Sequence, residues 1–258
     1  MVDTDVYNTA NAVDAAALLM KQLASASLAH TYLPIVIPFV VTGDFDTDAY
    51  NKLPLVNEAN CRFEKQLESA GLDRAKLFSR LAPLFFESES KRESGPYAVW
   101  LIHRHFELKP GERMVEANGS TKPSTESSPN IVPHLWSRTG EAIEFRSVSE
   151  SDTSTLPPPP SPEFFSKFRS ILDENGIDAL GICYAQNDLK YGEVYQEVDG
   201  PGERERVVSI VHESLAIDAF QVMWTPRFNP NFQSLTMIAC CTCFWPGCRP
   251  GPLTTTQN

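Results

Sequence analysis

The chain lacks an excess of basic residues. Its 258 residues include 22 Lys and Arg against 33 Asp and Glu, which gives a formal net charge of −11. Nucleic-acid binding needs clustered Lys and Arg to displace counterions from phosphates, and anionic membranes attract the same residues. We therefore expect neither nucleic acid nor a membrane surface among the partners of this protein.

Long apolar runs and a basic leader are also missing. No run reaches the roughly 18 apolar residues that suggest a membrane span. Asp3 and Asp5 precede the first apolar residues, where a signal peptide carries basic ones. These absences predict a cytoplasmic protein, and the reducing cytosol predicts that its six cysteines are free thiols.

Signatures of common cofactors and hydrolases are absent as well. The chain contains no G-x-G-x-x-G, no Walker sequence and no G-x-S-x-G. Their absence excludes the commonest nucleotide-dependent and hydrolase functions. It favours an enzyme without a cofactor, or a binding protein.

The cysteines near the C-terminus do not complete a metal site. Cys240 and Cys243 have the C-x-x-C spacing of zinc and redox sites, but Cys248 offers only one further thiolate where zinc needs a second pair. Alternation along a strand separates Cys240 from Cys241 and Cys243. We therefore interpret them as small buried residues of a strand.

Apolar periodicity predicts helices mainly in the first half of the chain. The segment 14–30 is rich in Ala and Leu, and 55–70 and 73–86 carry apolar residues at helical spacing. Pro83 kinks or ends the third of these helices. A fourth helix is predicted over 162–175, with Pro at its start and Gly after its end.

Strands are predicted for most of the remainder, over 96–108, 113–117, 131–138, 141–148, 179–185, 207–211, 216–225 and 234–244. The segment 187–205 is predicted to be a polar loop. Mobile loops are expected near 118–130 and 149–162, the second with a polyproline run, and a flexible tail from Pro246.

The order of the predicted helices and strands indicates an α+β fold, with N-terminal helices followed by a largely antiparallel sheet with one or more inserted helices. We expect a single domain over 1–258.

Two of the five histidines share the strand predicted over 96–108. Side chains alternate along a strand, so one face is predicted to carry Tyr97, Val99, Leu101, His103, His105 and Glu107. Paired imidazoles beside a carboxylate can hold a metal or act as acid and base. His-x-His also opens the cupin metal motif, but Lys109 and Pro110 stand where that motif needs Glu. The alternative is a strand end that simply carries polar residues.

The other histidines are weaker candidates. His30 ends the first predicted helix, where it either caps the helix dipole or joins a pocket. His134 and His212 each lie in or beside a predicted strand and offer a third metal ligand, although a structural role is the simpler interpretation.

Four segments, 100–115, 134–145, 179–185 and 236–243, resemble a group of fungal proteins. Proteins of this sort are similar to accessory enzymes of fungal secondary metabolism. A fungal-type chalcone isomerase fits a small, cofactor-free chain that carries histidines, and it implies an intramolecular ring closure. The resemblance assigns no residue roles.

Our first hypothesis is a cofactor-independent isomerase or cyclase of a phenolic or polyketide metabolite. A histidine takes a proton from a phenol and returns it to an enolate carbon. The candidate bases are His103, His105 and then His30. Arg104 or Arg138 stabilises the enolate oxygen, and the apolar wall for the aromatic substrate comes from Tyr97, Trp100, Trp136 and Phe145.

Two alternatives belong to other classes. A mononuclear metal enzyme uses His103, His105 and Glu107 with a distant histidine. A non-catalytic carrier or interaction protein binds a small molecule without turnover and tolerates substitution of its histidines. Metal content distinguishes the first hypothesis from the second.

Overall fold

The computed structural model describes residues 45–85, 96–149, 156–185, 189–190, 192–216, 219–229 and 232–241. All of them belong to a compact unit that begins at Gly43. The helix predicted over 14–30, which includes His30, and the tail from Pro246 lie outside the described residues. The single domain over 1–258 stays a prediction.

Four α-helices lie within these ranges, and the sequence predicted all of them except the short first one. They are α1 (Thr47–Asn51), α2 (Val56–Ser69), α3 (Arg74–Leu81), which continues into a 3-10 turn (Ala82–Leu84), and α4 (Pro162–Asp173). Side-chain caps set three of the starts. Asp46 accepts a hydrogen bond from the Ala49 N–H. Asp73 accepts a hydrogen bond from the Lys76 N–H, and Ser161 accepts one from the Phe164 N–H. The α-helix expected over 73–86 changes into the tighter 3-10 turn around Pro83, because proline lacks the N–H that a longer α-helix needs.

Ten strands follow one another around a single closed sheet. They are β1 (Tyr97–Leu101), β2 (Arg113–Ala117), β3 (Ser120–Ser124), β4 (Ile131–Trp136), β5 (Ala142–Ser147), β6 (Leu180–Tyr184), β7 (Glu193–Asp199), β8 (Arg206–His212), β9 (Phe220–Asn229) and β10 (Phe232–Cys241). The order is β1-β6-β4-β5-β2-β3-β8-β7-β10-β9, and β9 pairs with β1. Only β2 with β5 and β7 with β10 are parallel among the pairs described. The prediction of an α+β fold with a largely antiparallel sheet is confirmed.

Two segments that the sequence predicted to be loops contain strands. Asn118 and Gly119 both have positive φ, at 54° and 78°, which makes the two-residue turn of a hairpin between β2 and β3. The mobile loop expected over 118–130 is therefore wrong at β3. The polar loop expected over 187–205 contains β7, which pairs along its whole length with β8 and buries Val194 and Tyr195.

The sheet has two differently covered sides. Along β1, Val99 and Leu101 pack in an apolar cluster with the helices, which we call the outer cluster. It also contains these buried residues of the helices and of β9: Phe63, Leu67, Leu77, Phe78, Leu81, Phe168, Leu172 and Trp224. Ala98 and Trp100 point the other way and pack with Tyr50, Met114, Leu135 and Cys183. We call this second side the interior of the barrel.

Two further observations concern the cysteines and membrane insertion. Cys61 is disulfide-bonded, so the prediction of six free thiols is wrong at this residue, while Cys183 is a free and buried thiol. Cys240 and Cys241 lie in β10, which corresponds to the strand predicted over 234–244. No helix within the described ranges has the length and apolar character needed to cross a bilayer.

Candidate functional site

The histidines lie just beyond the end of β1, where the chain bends away from the sheet. The Ile102 N–H donates to the Ala179 carbonyl at 2.8 Å, and the Arg104 N–H donates to the Pro54 carbonyl at 2.9 Å. The strand predicted over 96–108 therefore ends at Leu101. As a result, His103 packs on Trp100, with ring centroids 5.1 Å apart. It does not share the face of Leu101, which corrects the alternation predicted from the sequence.

The two histidines do meet, as predicted, but through this bend. Their rings lie 4.7 Å apart, and the two Nε2 atoms are separated by 2.9 Å. His103 Nδ1 lies 2.6 Å from the Leu101 carbonyl oxygen. Because a carbonyl only accepts, Nδ1 carries the proton of a neutral ring and Nε2 presents a lone pair to His105. Burial and the neighbouring His105 lower the pKa of His103 to about 3, so the ring is neutral at neutral pH.

The third member of the cluster is Glu197 of β7. One carboxylate oxygen, Oε2, lies 3.3 Å from His105 Nε2. His103, His105 and Glu197 each offer one potential metal-ligand atom, and these atoms all lie within 4.8 Å of one another. Glu107, the carboxylate predicted for this role, is exposed because the bend after β1 turns it away from the histidines. We call His103, His105 and Glu197 the triad.

A buried ion pair stands beside the triad. Arg206 of β8 and Glu144 of β5 are joined by two hydrogen bonds, and their side chains are 5% and 0% exposed. Strand register explains the position of Glu144, because Ala98 pairs with Cys183, Cys183 with Leu135, and Leu135 with Glu144. Residues paired in this way share a face. The register thus places the carboxylate of Glu144 in the barrel interior.

Arg206 also connects this ion pair to the triad. Its Nε lies 3.8 Å from Oε1 of Glu197, the oxygen that does not face His105. Burial alone would raise the pKa of Glu197, but the charge of Arg206 and the hydrogen bond from His105 outweigh burial and hold that pKa below its usual range. Burial likewise opposes the charge of Arg206, but Glu144 and Glu197 raise its pKa further. Glu197 and Arg206 are therefore charged at neutral pH.

Several polar atoms of the interior make no hydrogen bond of ordinary geometry within the described part of the chain. They are the Tyr50 hydroxyl, His134 Nδ1 and Arg206 Nε, and none of them has appreciable exposed surface. Leaving such a group unsatisfied costs about 1–3 kcal/mol. An interior with several of them indicates a place where something else is bound.

The predicted site residues divide between this interior and the opposite side. Trp100 contacts His103, whereas Trp136 packs on Tyr184 in the outer cluster. Arg104 donates from Nε to the Leu53 carbonyl at 2.8 Å, and Arg138 pairs with Asp173 at the surface.

Two further predicted wall residues also lie away from the triad. The Tyr97 hydroxyl donates to the Pro158 carbonyl at 2.7 Å, because the polyproline segment lies across the outer side of β1. Phe145 packs edge-on against Phe45 and under the Arg113 guanidinium. Of the proposed wall, the structure brings only Trp100 to the histidines.

Sequence reasoning missed Glu197, Arg206, Glu144 and Tyr50. A usable signal existed for Glu197, because the run Glu193–Asp199 alternates well enough to form β7. Glu144 stands between Ile143 and Phe145 inside a predicted strand, and a carboxylate in such a run indicates a buried partner. Tyr50 had no comparable signal, since only the fold brings the short helix α1 against the barrel.

Comparison with known protein families, curated proteins and solved structures finds no match for this chain. The likeness to fungal enzymes of secondary metabolism stays a prediction. The function is therefore argued from the geometry of the triad and its surroundings.

Proposed function

We propose that this protein is a mononuclear metal-dependent enzyme whose centre is formed by His103, His105 and Glu197. The observation that carries the proposal is the convergence of the three ligand atoms within 4.8 Å of one another. Two neutral imidazoles and one carboxylate are the ligands of many catalytic zinc sites and of non-haem iron sites. The metal ligand is Glu197 rather than Glu107, the carboxylate named by the sequence.

Two of the three separations between ligand atoms are close to those around a tetrahedral ion. Ligands about 2.0–2.1 Å from zinc lie roughly 3.3–3.4 Å apart at tetrahedral geometry. His105 Nε2 and Glu197 Oε2 are already 3.3 Å apart. The two imidazole Nε2 atoms, 2.9 Å apart, need to separate by only about half an ångström to reach that tetrahedral spacing.

The surroundings of the triad also fit a metal centre. Metal-binding histidines usually donate their other ring N–H to a carbonyl or carboxylate, which fixes the ring and its tautomer. His103 Nδ1 and the Leu101 carbonyl form that contact at 2.6 Å. Arg206, 3.8 Å from the other oxygen of Glu197, orients the carboxylate, and Glu144 balances the arginine charge.

The decisive experiment is the metal content of the purified, untagged chain after incubation with excess zinc, iron, manganese or copper and desalting. We expect about one ion per chain in the wild type. Glu197→Gln keeps the shape of the side chain and removes its charge, so this variant and His105→Gln are expected to lose the ion. His212→Gln changes an exposed histidine and is expected to retain it. A wild type that retains no ion, or triad variants that bind like the wild type, would overturn the proposal.

The second candidate is the cofactor-independent isomerase or cyclase predicted from the sequence, acting on an aromatic phenolic or polyketide substrate. It is favoured by the contact between His105 Nε2 and Glu197 at 3.3 Å, since a carboxylate orients a catalytic histidine and stabilises its charged form. His105 is then the general base. With a pKa near 3, His103 is a weak base at neutral pH.

Metal-free protein that turns over a chalcone-like substrate, with activity lost in His105→Gln, would establish this second candidate.

Under either function we retain the cytoplasmic location as part of the proposal. It is supported by the acidic composition, whereas the disulfide at Cys61 is uncommon in a reducing cytosol.

A further inference from the structure

We propose that the metal centre takes a small monocarboxylate as its exogenous ligand, held by the ion, the Tyr50 hydroxyl and the Arg206 Nε–H. This inference rests on the proposed function, because the ion is one of the three groups that hold the carboxylate. It goes further by naming the chemical class of the ligand and two side chains that recognise it.

The first argument is the charge of the barrel interior. The charged groups around the triad are Arg206 and Glu144, which are buried, and Glu197, whose side chain is 15% exposed. Their charges sum to −1. A divalent ion at the triad changes the sum to +1. Because uncompensated charge is costly in a buried site, a ligand with one negative charge is favoured over a neutral one or a dianion.

The second argument is the supply of hydrogen-bond donors. The Tyr50 hydroxyl and Arg206 Nε are both buried, and neither has an acceptor at hydrogen-bond distance within the described residues. The Tyr50 hydroxyl faces the backbone N–H of His105, which is itself a donor. Glu197 Oε1 lies 3.8 Å from Arg206 Nε, beyond hydrogen-bond distance. Tyrosine can donate from its hydroxyl, and arginine can only donate. A tyrosine hydroxyl ordinarily loses its proton only near pH 10, so it keeps that proton at neutral pH. Both groups therefore need an acceptor, which a carboxylate oxygen provides.

The third argument is the placement of Tyr50. Asn51, the next residue, donates from Nδ2 to the Leu108 carbonyl and accepts from the Leu108 N–H, both at 2.8 Å. These two bonds fix the end of α1 to the segment that follows the histidines. Tyr50 also packs in the apolar cluster that contains Trp100, the residue beneath His103. The hydroxyl is thus held at the side of the triad.

The fourth argument is coordination. The triad supplies three ligand atoms, and catalytic sites of this kind leave a further position for water or substrate. A carboxylate oxygen at that position accepts hydrogen bonds from Tyr50 and Arg206 without displacing a triad residue. Arg206 remains in place because its two terminal nitrogens are already bound to Glu144.

The test uses the full chain loaded with Co²⁺, whose visible absorption reports its coordination. Sodium acetate is titrated at constant ionic strength, with acetamide as a neutral control of the same shape and inorganic phosphate as a more highly charged anion. We expect saturable changes with acetate, none with acetamide, and weaker binding of phosphate than of acetate. In Tyr50→Phe, which removes only the hydroxyl, acetate binding is expected to weaken about tenfold or more, with unchanged Co²⁺ stoichiometry.

The outcomes separate the two proposals. If the chain retains no Co²⁺, the metal centre itself is wrong and the carboxylate site with it. If Co²⁺ binds but acetate changes nothing, or acetamide or phosphate acts as well as acetate, the metal centre stands and the carboxylate inference is overturned. Equal acetate affinity in Tyr50→Phe and wild type removes Tyr50 from the site and likewise overturns the inference as stated. Tyr97→Phe, which removes a hydroxyl on the outer side of β1, is the matched control and should bind acetate like the wild type.

Discussion

The outer cluster and the barrel interior are two sides of the same sheet, yet they are filled in opposite ways. The outer cluster consists of aliphatic and aromatic side chains, with Phe78 and Trp224 rings 5.0 Å apart and Phe85 edge-on to Phe168. The interior combines an apolar wall with the triad and the Arg206–Glu144 pair. Burial of apolar surface drives folding on the first side, whereas the second side buries charges at a cost.

This difference indicates where the function lies. Replacing a buried ion pair by apolar residues of similar volume is often neutral or stabilising. Stability alone therefore gives no reason for Arg206, Glu144 and Glu197 to occupy one small space. A site that must hold an ion and orient its ligands gives such a reason. We expect substitutions in the outer cluster to change stability alone, and substitutions in the interior to change binding as well.

The largest expected effect is on the apolar side. Phe168 is fully buried, so Phe168→Ala removes its packing and leaves a cavity, at a cost of about 3–5 kcal/mol in the free energy of unfolding. Urea denaturation measures this loss. The folded fraction should keep the metal stoichiometry of the wild type. Leu215→Ala is the control, because Leu215 is 67% exposed. A change in metal affinity of folded Phe168→Ala protein would show that the two sides are not independent.

The next effect concerns the buried ion pair. Glu144→Leu leaves Arg206 without the carboxylate that accepts two of its hydrogen bonds, and breaking a buried pair in this way costs about 3 kcal/mol or more. The double variant Glu144→Leu/Arg206→Met replaces both charges and should recover most of the stability in the same urea experiment. It should still bind metal more weakly, since nothing then orients Glu197. Full metal affinity in the double variant would show that the pair serves folding alone.

Protonation provides a graded test of the interior. The pKa of His134 in the folded chain lies well below its usual value of 6.5 because the ring is buried. Below pH 6.5 the His134 ring therefore binds a proton in the unfolded chain but not in the folded chain. As a result, the free energy of unfolding falls as pH falls. The slope approaches about 1.4 kcal/mol per pH unit for each such histidine. His103, with a folded pKa of about 3, contributes in the same direction.

Unfolding measured in metal-free buffer between pH 7 and pH 5 tests this effect. His134→Gln cannot titrate, so its stability should depend on pH less steeply than that of the wild type. His212→Gln replaces an exposed histidine and should keep most of the wild-type slope. Equal slopes for wild type and His134→Gln would show that His134 is protonated in the folded chain.

Local sequence patterns predicted much of the outer side. Apolar residues at helical spacing, together with capping residues, were sufficient to predict α2, α3 and α4, because each helix buries one apolar stripe. The prediction from strand alternation failed at His103. The backbone N–H groups of Ile102 and Arg104 donate hydrogen bonds to carbonyls distant in sequence, and these bonds redirect the chain. The Asn118–Gly119 turn was present in the sequence as a hairpin signal, but the polar residues around it favoured a loop.

The site was only half predictable for a related reason. His103 and His105 are two residues apart, so their proximity follows from the local chain. Glu197 and Arg206 reach the same space from β7 and β8, and this depends on the closure of the whole barrel. Glu107, the nearest carboxylate in sequence, is exposed. Separation along the chain thus decided which functional residues could be found.

The smallest expected effect tests the boundary between the two sides. Tyr97 was predicted to line a substrate pocket, but its hydroxyl binds the Pro158 carbonyl and its ring stacks on Tyr184, on the side away from the triad. Tyr97→Phe should lower the free energy of unfolding by about 1 kcal/mol, the worth of one hydrogen bond, and should leave metal content unchanged. Tyr184→Phe, which removes a similar bond to the Pro157 carbonyl, should behave in the same way. If either variant altered metal or acetate binding, the outer side would share in the function, and the division between a stabilising face and a functional interior would fail.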